Sequence, residues 1–323
     1  MNNLAPICLF TYSRLEETKQ TVEALQNNFL ASQSNLFIFS DGPKNESVKS
    51  KVDAVREYIK TIKGFKSIVV FLSKKNKGLA NSIIEGVTKI INQFGQVIVL
   101  EDDLVTTPNF LDYMNSCLDY YENNAKVMSV NGFSLKLKSS KYFNEDIFIM
   151  NRTYSWGWAT WKDSWISCDF DKKNISESLY NLNIINFQKT CGDDVYRMLI
   201  SSLEGTSDSW YIRWVYSHFK NSKVSIYPFK SKVENIGYGE NATHCTTIDV
   251  LKSEIDKDLK QNFIFPNDIT VKNTLRNEFL SYFTFKYKLI FRLKMLRSRK
   301  GIMILQRDLF EKFLIRYNKF FKK

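Results

Sequence analysis

Three consecutive carboxylates, Glu101, Asp102 and Asp103, follow an apolar run in "GQVIVLEDDLVTTPNF". Like charges crowded at the end of a strand repel one another, so the triplet implies a positive partner. Hard carboxylate oxygens suit Mn2+ or Mg2+, ions that prefer oxygen ligands and leave positions open for phosphate. A divalent ion between one carboxylate and a diphosphate offsets the repulsion and stabilises a departing nucleotide. The bland alternative is a solvated acidic turn in which Asp103 caps a neighbouring segment.

The elements that must position these acids alternate. "ICLFTY" (7–12), "LFIFSD" (36–41), "SIVVFLS" (67–73) and "QVIVLEDD" read as strands, and the segments between them carry a 3.6-residue apolar period, as Leu15, Thr18, Val22 and Leu25 do. Strands alternating with helices predict an α/β fold with a mainly parallel central sheet. In such sheets ligands bind beyond the carboxyl ends of the strands. Polar residues collect there: Thr11 to Arg14, Ser40-Asp41, Ser73 to Lys77, and the triplet. Thr107 and Pro108 suit the start of the next helix, with Phe110, Met114, Cys117, Leu118 and Tyr121 as its buried stripe.

Composition narrows the class. Five scattered cysteines, no C-x-x-C and two histidines argue against a disulfide framework or a Cys/His zinc site and favour a reducing cytoplasm. "MNNLAPICLFTYSR" lacks a basic leader region, so no secretory leader is expected. The net charge of +12 is concentrated: residues 274–323 hold 14 Lys/Arg against three acids, leaving the rest at +1.

On these residues the chain resembles the GT-A-fold glycosyltransferases, of the N-acetylglucosaminyltransferase I type and its bacterial surface-polysaccharide relatives. The resemblance covers residues 5–245, and its centre is Glu101-Asp102-Asp103 as an E-D-D form of the D-x-D motif. It implies a catalytic domain over 1–245, with a nucleotide-sugar half to 130 and an acceptor half from 131. It implies that Thr11 and Arg14 in "FTYSR" approach the nucleotide, that Asp41 in "IFSDG" meets its base, and that Asn81 in "NKGLANSIIEGV" contacts it as well. By the same resemblance Asp103 is the protein's metal ligand, and Asp102 and Glu101 hold ribose and donor sugar. The implied donor is a nucleotide-diphosphate sugar, UDP-GlcNAc or a relative, and the implied acceptor is a hydroxyl of a lipid-linked oligosaccharide in O-antigen or capsule synthesis.

Inverting transfer needs one group to take the proton of the attacking hydroxyl from the face opposite the diphosphate. Asp163, Asp193, Asp194, Glu204 and Asp208 are candidates. Asp208, opening a helix with Trp210, Trp214 and Val215 on its apolar side, resembles the family's catalytic acid, with an N-cap role as the alternative. Asp194 is the second choice. "YSWGWATW" resembles a loop that lines the donor–acceptor junction in bacterial relatives, which implies roles for Trp156, Gly157 and Trp158, while Trp161 reads as core. His244 in "GENATH" is a candidate second contact to the metal or diphosphate, with a hydrogen-bonding loop role as the alternative; His218 reads as structural.

Residues 246–273 read as a helix and linker. The tail from 274 mixes Lys and Arg with Phe, Leu and Tyr, and Gly301 is expected to divide it into two basic amphipathic helices. Such helices lie in the headgroup layer of anionic membranes, which predicts a peripheral location on the inner face of the bacterial membrane. A dimerisation arm or a lid on the body are the alternatives; the abundant Phe and Leu argue against nucleic acid. Two other functions compete. A sugar-phosphate nucleotidyltransferase would need a Gly-rich loop that "FTYSRLEET" lacks, and a non-catalytic carbohydrate-binding protein would have little use for the triplet.

Overall fold

The computed structural model describes residues 4–237, 251, 253–299 and 301–310. Strands β1 (Ile7–Thr11), β2 (Asn35–Ser40), β3 (Ser67–Leu72) and β4 (Gln96–Glu101) alternate with helices α1 (Leu15–Gln26), α2 (Glu46–Ile59) and α3 (Leu79–Phe94). They pair in parallel in the order β3-β2-β1-β4. Successive strand residues point to opposite faces, which is why the strands are apolar throughout. Ile7, Leu9, Leu36, Ile38, Ile98 and Leu100 join Val22, Leu25, Val55 and Ile59 of α1 and α2. Cys8, Phe10, Phe37, Val97 and Val99 join Ile83, Val87 and Ile90 of α3 on the other face.

The chain continues through β5 (Leu104–Thr106), α4 (Phe110–Tyr121), β6 (Val127–Asn131), β7 (Ile147–Met150), β8 (Trp158–Trp161), α5 (Lys162–Ile166), α6 (Lys172–Ser178), α7 (Ile184–Cys191), α8 (Val195–Leu203), α9 (Trp210–Lys220), β9 (Val224–Pro228) and β10 (Val233–Asn235). Among the described residues the main sheet has eight strands, ordered β3-β2-β1-β4-β8-β6-β9-β7. β8 runs antiparallel to β4 and β6, and β7 antiparallel to β9; the other strands share one direction. This is the α/β architecture with a mainly parallel sheet that the alternating pattern predicts. A separate ribbon pairs β5 with β10 and returns the chain to the acidic triplet.

Three local expectations are corrected. Helix α4 begins at Phe110 rather than Pro108, because Thr107 and Asn109 form a turn in which Phe110 N donates to the Thr107 carbonyl at 3.0 Å. The predicted buried stripe of α4 is buried as expected. The boundary placed at 130/131 runs through β6, so the two halves share one sheet. No helix forms over 253–272, where Phe263, Phe265, Ile269 and Val271 pack in irregular conformation on the core.

The basic tail is divided differently from expectation. Helix α10 (Asn273–Ser281) is docked on the body, with Leu275, Phe279 and the following Phe283 in a cluster with Phe148 and Tyr227. Its Glu278 accepts from the Ser139 amide at 3.1 Å and from the Lys138 amide. Helix α11 (Phe285–Met295) buries no residue, and residues 301–310 are helical again. The break falls at 296–298, not at Gly301. Gly301 lies within the last helix, where a Cβ would stand 2.1 Å from the Met295 carbonyl oxygen, so its small size permits the close turn.

Candidate active site

A cleft of about 770 Å³ opens at the carboxyl ends of β1, β2 and β4 and is closed on its far side by α8 and α9. β1 and β4 are neighbours in register, Phe10 facing Glu101, so the residues just past both strands meet although 88 positions apart. Arg14 takes advantage of this. Its two terminal nitrogens lie 2.5 Å from Asp102 Oδ1 and 3.0 Å from Asp103 Oδ2. The Tyr12 amide donates to the other Asp102 oxygen at 3.1 Å. The positive partner of the triplet is therefore partly internal. Burial alone would lower the Arg14 pKa, but the two carboxylates outweigh it and raise it.

The three acids are not equivalent. Glu101 makes no ion pair with Arg14, and burial, then the Asp103 and Asp102 charges, push it up to about 8. Burial also raises Asp102, to about 6, against the opposing pull of Arg14. Asp103 lies beneath the β5–β10 ribbon: the Ile236 amide donates to its carbonyl at 2.9 Å. A Cβ on Gly237 would stand 2.0 Å from Asp103 Oδ2, the oxygen that Arg14 contacts, so the close approach of this backbone needs glycine. At the cleft floor the buried Thr11 Oγ1 has no protein hydrogen-bond partner. Among the described residues, no three His, Cys, Asp or Glu side chains converge into a preformed metal site.

Asp41 lines the cleft, but its carboxylate is already engaged. It accepts from the amides of Gly42, Lys77 and Gly78 and from Asn76 Nδ2, all between 2.8 and 3.1 Å. It ties the loop before α3 to the end of β2. Asn81 is corrected: it is exposed outside the cleft, and its Nδ2 donates to the Lys77 carbonyl at 2.9 Å. The asparagine of this loop that reaches the cleft is Asn76, which the pairing of β2 with β3 brings beside Asp41.

On the opposite wall stands Asp208, an exposed residue that lines the cleft. It does not cap α9, whose preceding residue is Ser209 and has no side-chain cap. A Cβ on Gly78 would be 3.1 Å from Asp208 Oδ2, and Gly78 is the N-cap position of α3. The Asp208 carboxylate thus approaches the N-terminus of α3 across the cleft. Asp194 is corrected as an alternative base. It faces away from the cleft and pairs with the buried Arg152, at 2.7 and 3.3 Å. Burial would raise its pKa, but Arg152 outweighs burial and, with a smaller contribution from Lys288, lowers it. Asp163, Asp193 and Glu204 do not line the cleft either. From α8, Arg197, Met198 and Ser201 do.

Of the aromatic loop, Trp156 reaches the cleft, packed edge-on against Phe133 and Tyr154. Trp158 does not; it is core, within a tryptophan cluster with Trp165, Trp210 and Trp214. Gly157 has φ +63° and a Cβ there would meet Val233 at 2.8 Å, so it serves packing and a turn rather than ligand approach. Trp161 is core as expected. His218 is buried, its Nδ1–H donating to the Trp214 carbonyl at 2.9 Å and its Nε2 3.0 Å from Ser129 Oγ. His244 lies outside the described residues. Tyr12, Asn76, Arg197 and Gly237 belong to the cleft without having been singled out in the sequence, because each, from a loop or from α8, meets partners distant in the chain.

No family model matches the chain, and no curated protein matches it. Solved structures do. One is the mannosyltransferase PcManGT from Pyrobaculum calidifontis in complex with GDP-Man and Mn2+, with a TM-score of 0.34 and 10% identity over 50% of this chain and 45% of that one. Another is a UDP-glucose pyrophosphorylase complexed with UDP-glucose, with a TM-score of 0.35 and 12% identity over 71% of this chain and 92% of that one. The chain thus spans less than half the length of the mannosyltransferase. At these values the functional reading rests on the residues of the cleft.

Proposed function

We propose that the protein is an inverting, metal-dependent GT-A glycosyltransferase of the N-acetylglucosaminyltransferase I type. It would move a hexosyl or N-acetylhexosaminyl group from a nucleotide-diphosphate sugar to a hydroxyl of a lipid-linked oligosaccharide in bacterial surface-polysaccharide synthesis. The observation that carries this reading is the facing of the acidic triplet and Asp208 across one cleft. One wall has the groups to bind a diphosphate; the other has the Asp208 carboxylate to accept a proton. As the acceptor oxygen attacks the anomeric carbon, its proton passes to Asp208 and the bond to the diphosphate breaks, the electron pair leaving with the nucleotide. Trp156 offers an apolar face to sugar C–H groups at the junction.

A divalent cation fits the donor set. Asp103 supplies a hard oxygen, Gly237 leaves beside it the space that a Cβ would fill, and the remaining ligands are left to phosphate oxygens. When bound, Mn2+ or Mg2+ would neutralise charge on the departing diphosphate. Arg14 would exchange part of its pairing with the triplet for the nucleotide, and Thr11 Oγ1 would find its partner there. Asp41 would act through the 76–78 loop, since its oxygens already have donors.

The test is a calorimetric screen of nucleoside diphosphates and their sugars with and without Mn2+, followed by turnover with lipid-linked and soluble saccharide acceptors. Metal-dependent binding and release of nucleoside diphosphate are expected. Formation of pyrophosphate from a nucleoside triphosphate and a sugar phosphate would instead make it a nucleotidyltransferase, and no binding of any nucleotide would sink both.

A further inference from the structure

We propose that residues 285–310 form a docking face for an anionic phospholipid surface, set beside the acceptor wall of the cleft. Helix α11 and the residue that ends it repeat large apolar residues at near-helical spacing, and they are exposed: Phe285 by 77%, Leu289 by 45%, Leu293 by 53% and Leu296 by 53%. Met303, Leu309 and Phe310 of the following helical segment are exposed as well. Eight Lys/Arg lie among these 26 residues against one acid, Asp308. Asp308 is buried and pairs with Arg292 at 3.3 Å, so no carboxylate of this segment shows at the surface.

The charge pattern selects the occupant. A second copy of this face would bring like charges together around its apolar centre, whereas an anionic bilayer accepts both the Lys/Arg heads and the apolar side chains. Among the described residues no helix is long and apolar enough to cross a membrane, so the contact would be interfacial. Part of the tail is excluded from it: α10 has spent its apolar face on the body.

The location follows from the same docking. The Phe283 ring, at the end of α10, covers the Arg152 guanidinium at 3.7 Å, and Arg152 holds Asp194 at the start of α8. A Cβ on Gly192 would be 3.5 Å from Phe283. Helix α11 therefore leaves the body at the root of the helix whose Arg197, Met198 and Ser201 face the cleft. A lipid-linked acceptor would meet that wall from the surface on which α11 rests; this last consequence depends on the glycosyltransferase reading, whereas the docking does not.

The experiment is co-sedimentation of the full-length protein with vesicles of phosphatidylcholine alone or mixed with phosphatidylglycerol. Binding is expected only with phosphatidylglycerol, weakening as salt rises. Two variants, Phe285→Ser/Leu289→Ser/Leu293→Ser and Lys286→Gln/Lys294→Gln/Arg297→Gln, should each bind at least tenfold more weakly. These side chains are outside the core, so thermal melts and the metal-dependent nucleotide titration should match wild type. That titration separates failure of docking from failure of the enzyme reading. Wild-type-like vesicle binding by either variant, or equal binding to neutral vesicles, overturns the proposal. So does a dimer in lipid-free sedimentation velocity that the apolar variant dissociates, which would assign the face to a second copy.

Discussion

Arg14 bridges Asp102 and Asp103, contacting one oxygen of each at 2.5 and 3.0 Å from a position 88 residues earlier in the chain than Asp102. The guanidinium thus occupies a place at the triplet that a divalent ion would share. Replacing it by Arg14→Gln strands two largely buried carboxylates, and loss of one partner from such a pair costs about 3 kcal/mol. We expect a lower melting temperature for the variant and a larger upward shift on adding Mn2+ than wild type shows. Equal Mn2+ shifts in both proteins would remove the link between Arg14 and the metal position.

Asp103 and Gly237 make a paired prediction. Asp103→Ala should lose Mn2+-dependent binding of nucleoside diphosphate while keeping its fold. Gly237→Ala should weaken the same binding at least tenfold, since its Cβ would fall 2.0 Å from the Asp103 oxygen. Calorimetry with and without Mn2+ reads both; unchanged metal dependence in Asp103→Ala would leave the triplet only its pairing with Arg14.

Asp208 and Asp194 should fail in opposite ways. Loss of a general base costs about 10²- to 10⁴-fold in rate, so Asp208→Asn is expected to bind donor normally and transfer slowly. Asp194→Asn leaves the Arg152 guanidinium buried without its counter-charge, at a cost of about 3 kcal/mol. Its defect should appear in the melting curve and not in kcat at temperatures where it is folded. A rate defect in Asp194→Asn as large as that of Asp208→Asn would reopen the assignment.

Burial lowers His218 from 6.5 to about 4, against a smaller opposing effect of its bond to the Trp214 carbonyl. The folded protein holds the imidazole neutral where the unfolded chain would take up a proton. Stability is therefore lost as pH falls from about 6.5 to about 4, by about 3 kcal/mol in total at 1.36 kcal/mol per pKa unit. Melting temperature followed over this range should fall less steeply for His218→Gln than for wild type. Parallel curves would mean that other groups control the acid limb.

Apolar periodicity made the first four strands and three helices legible: β1, β2 and β4 are covered on both faces and so run nearly continuously apolar, and the edge strand β3 keeps an apolar run though largely exposed. It also placed the triplet at a strand end and the stripe of α4 in the core. Local patterns misled where packing overrode them. "YSWGWATW" has the composition of a binding loop, yet Trp158 enters the sheet as β8 and is buried, leaving Trp156 at the cleft. The basic tail reads as two amphipathic helices divided at Gly301, but the Phe residues of α10 and its C-terminal turn meet the apolar surface of β7 and β9 and stay there.

By itself the sequence determined that three acids would close a strand at the ligand edge of an α/β sheet and need a counter-charge. Tertiary structure decided that Arg14 supplies part of it, that Gly237 stands over Asp103, and that Asp194 belongs to Arg152 while Asp208 faces the cleft. The physical reason is one of range. Strand and helix periods are set by neighbours within a turn or two, whereas a charge finds its partner through whichever distant turns the sheet order brings together.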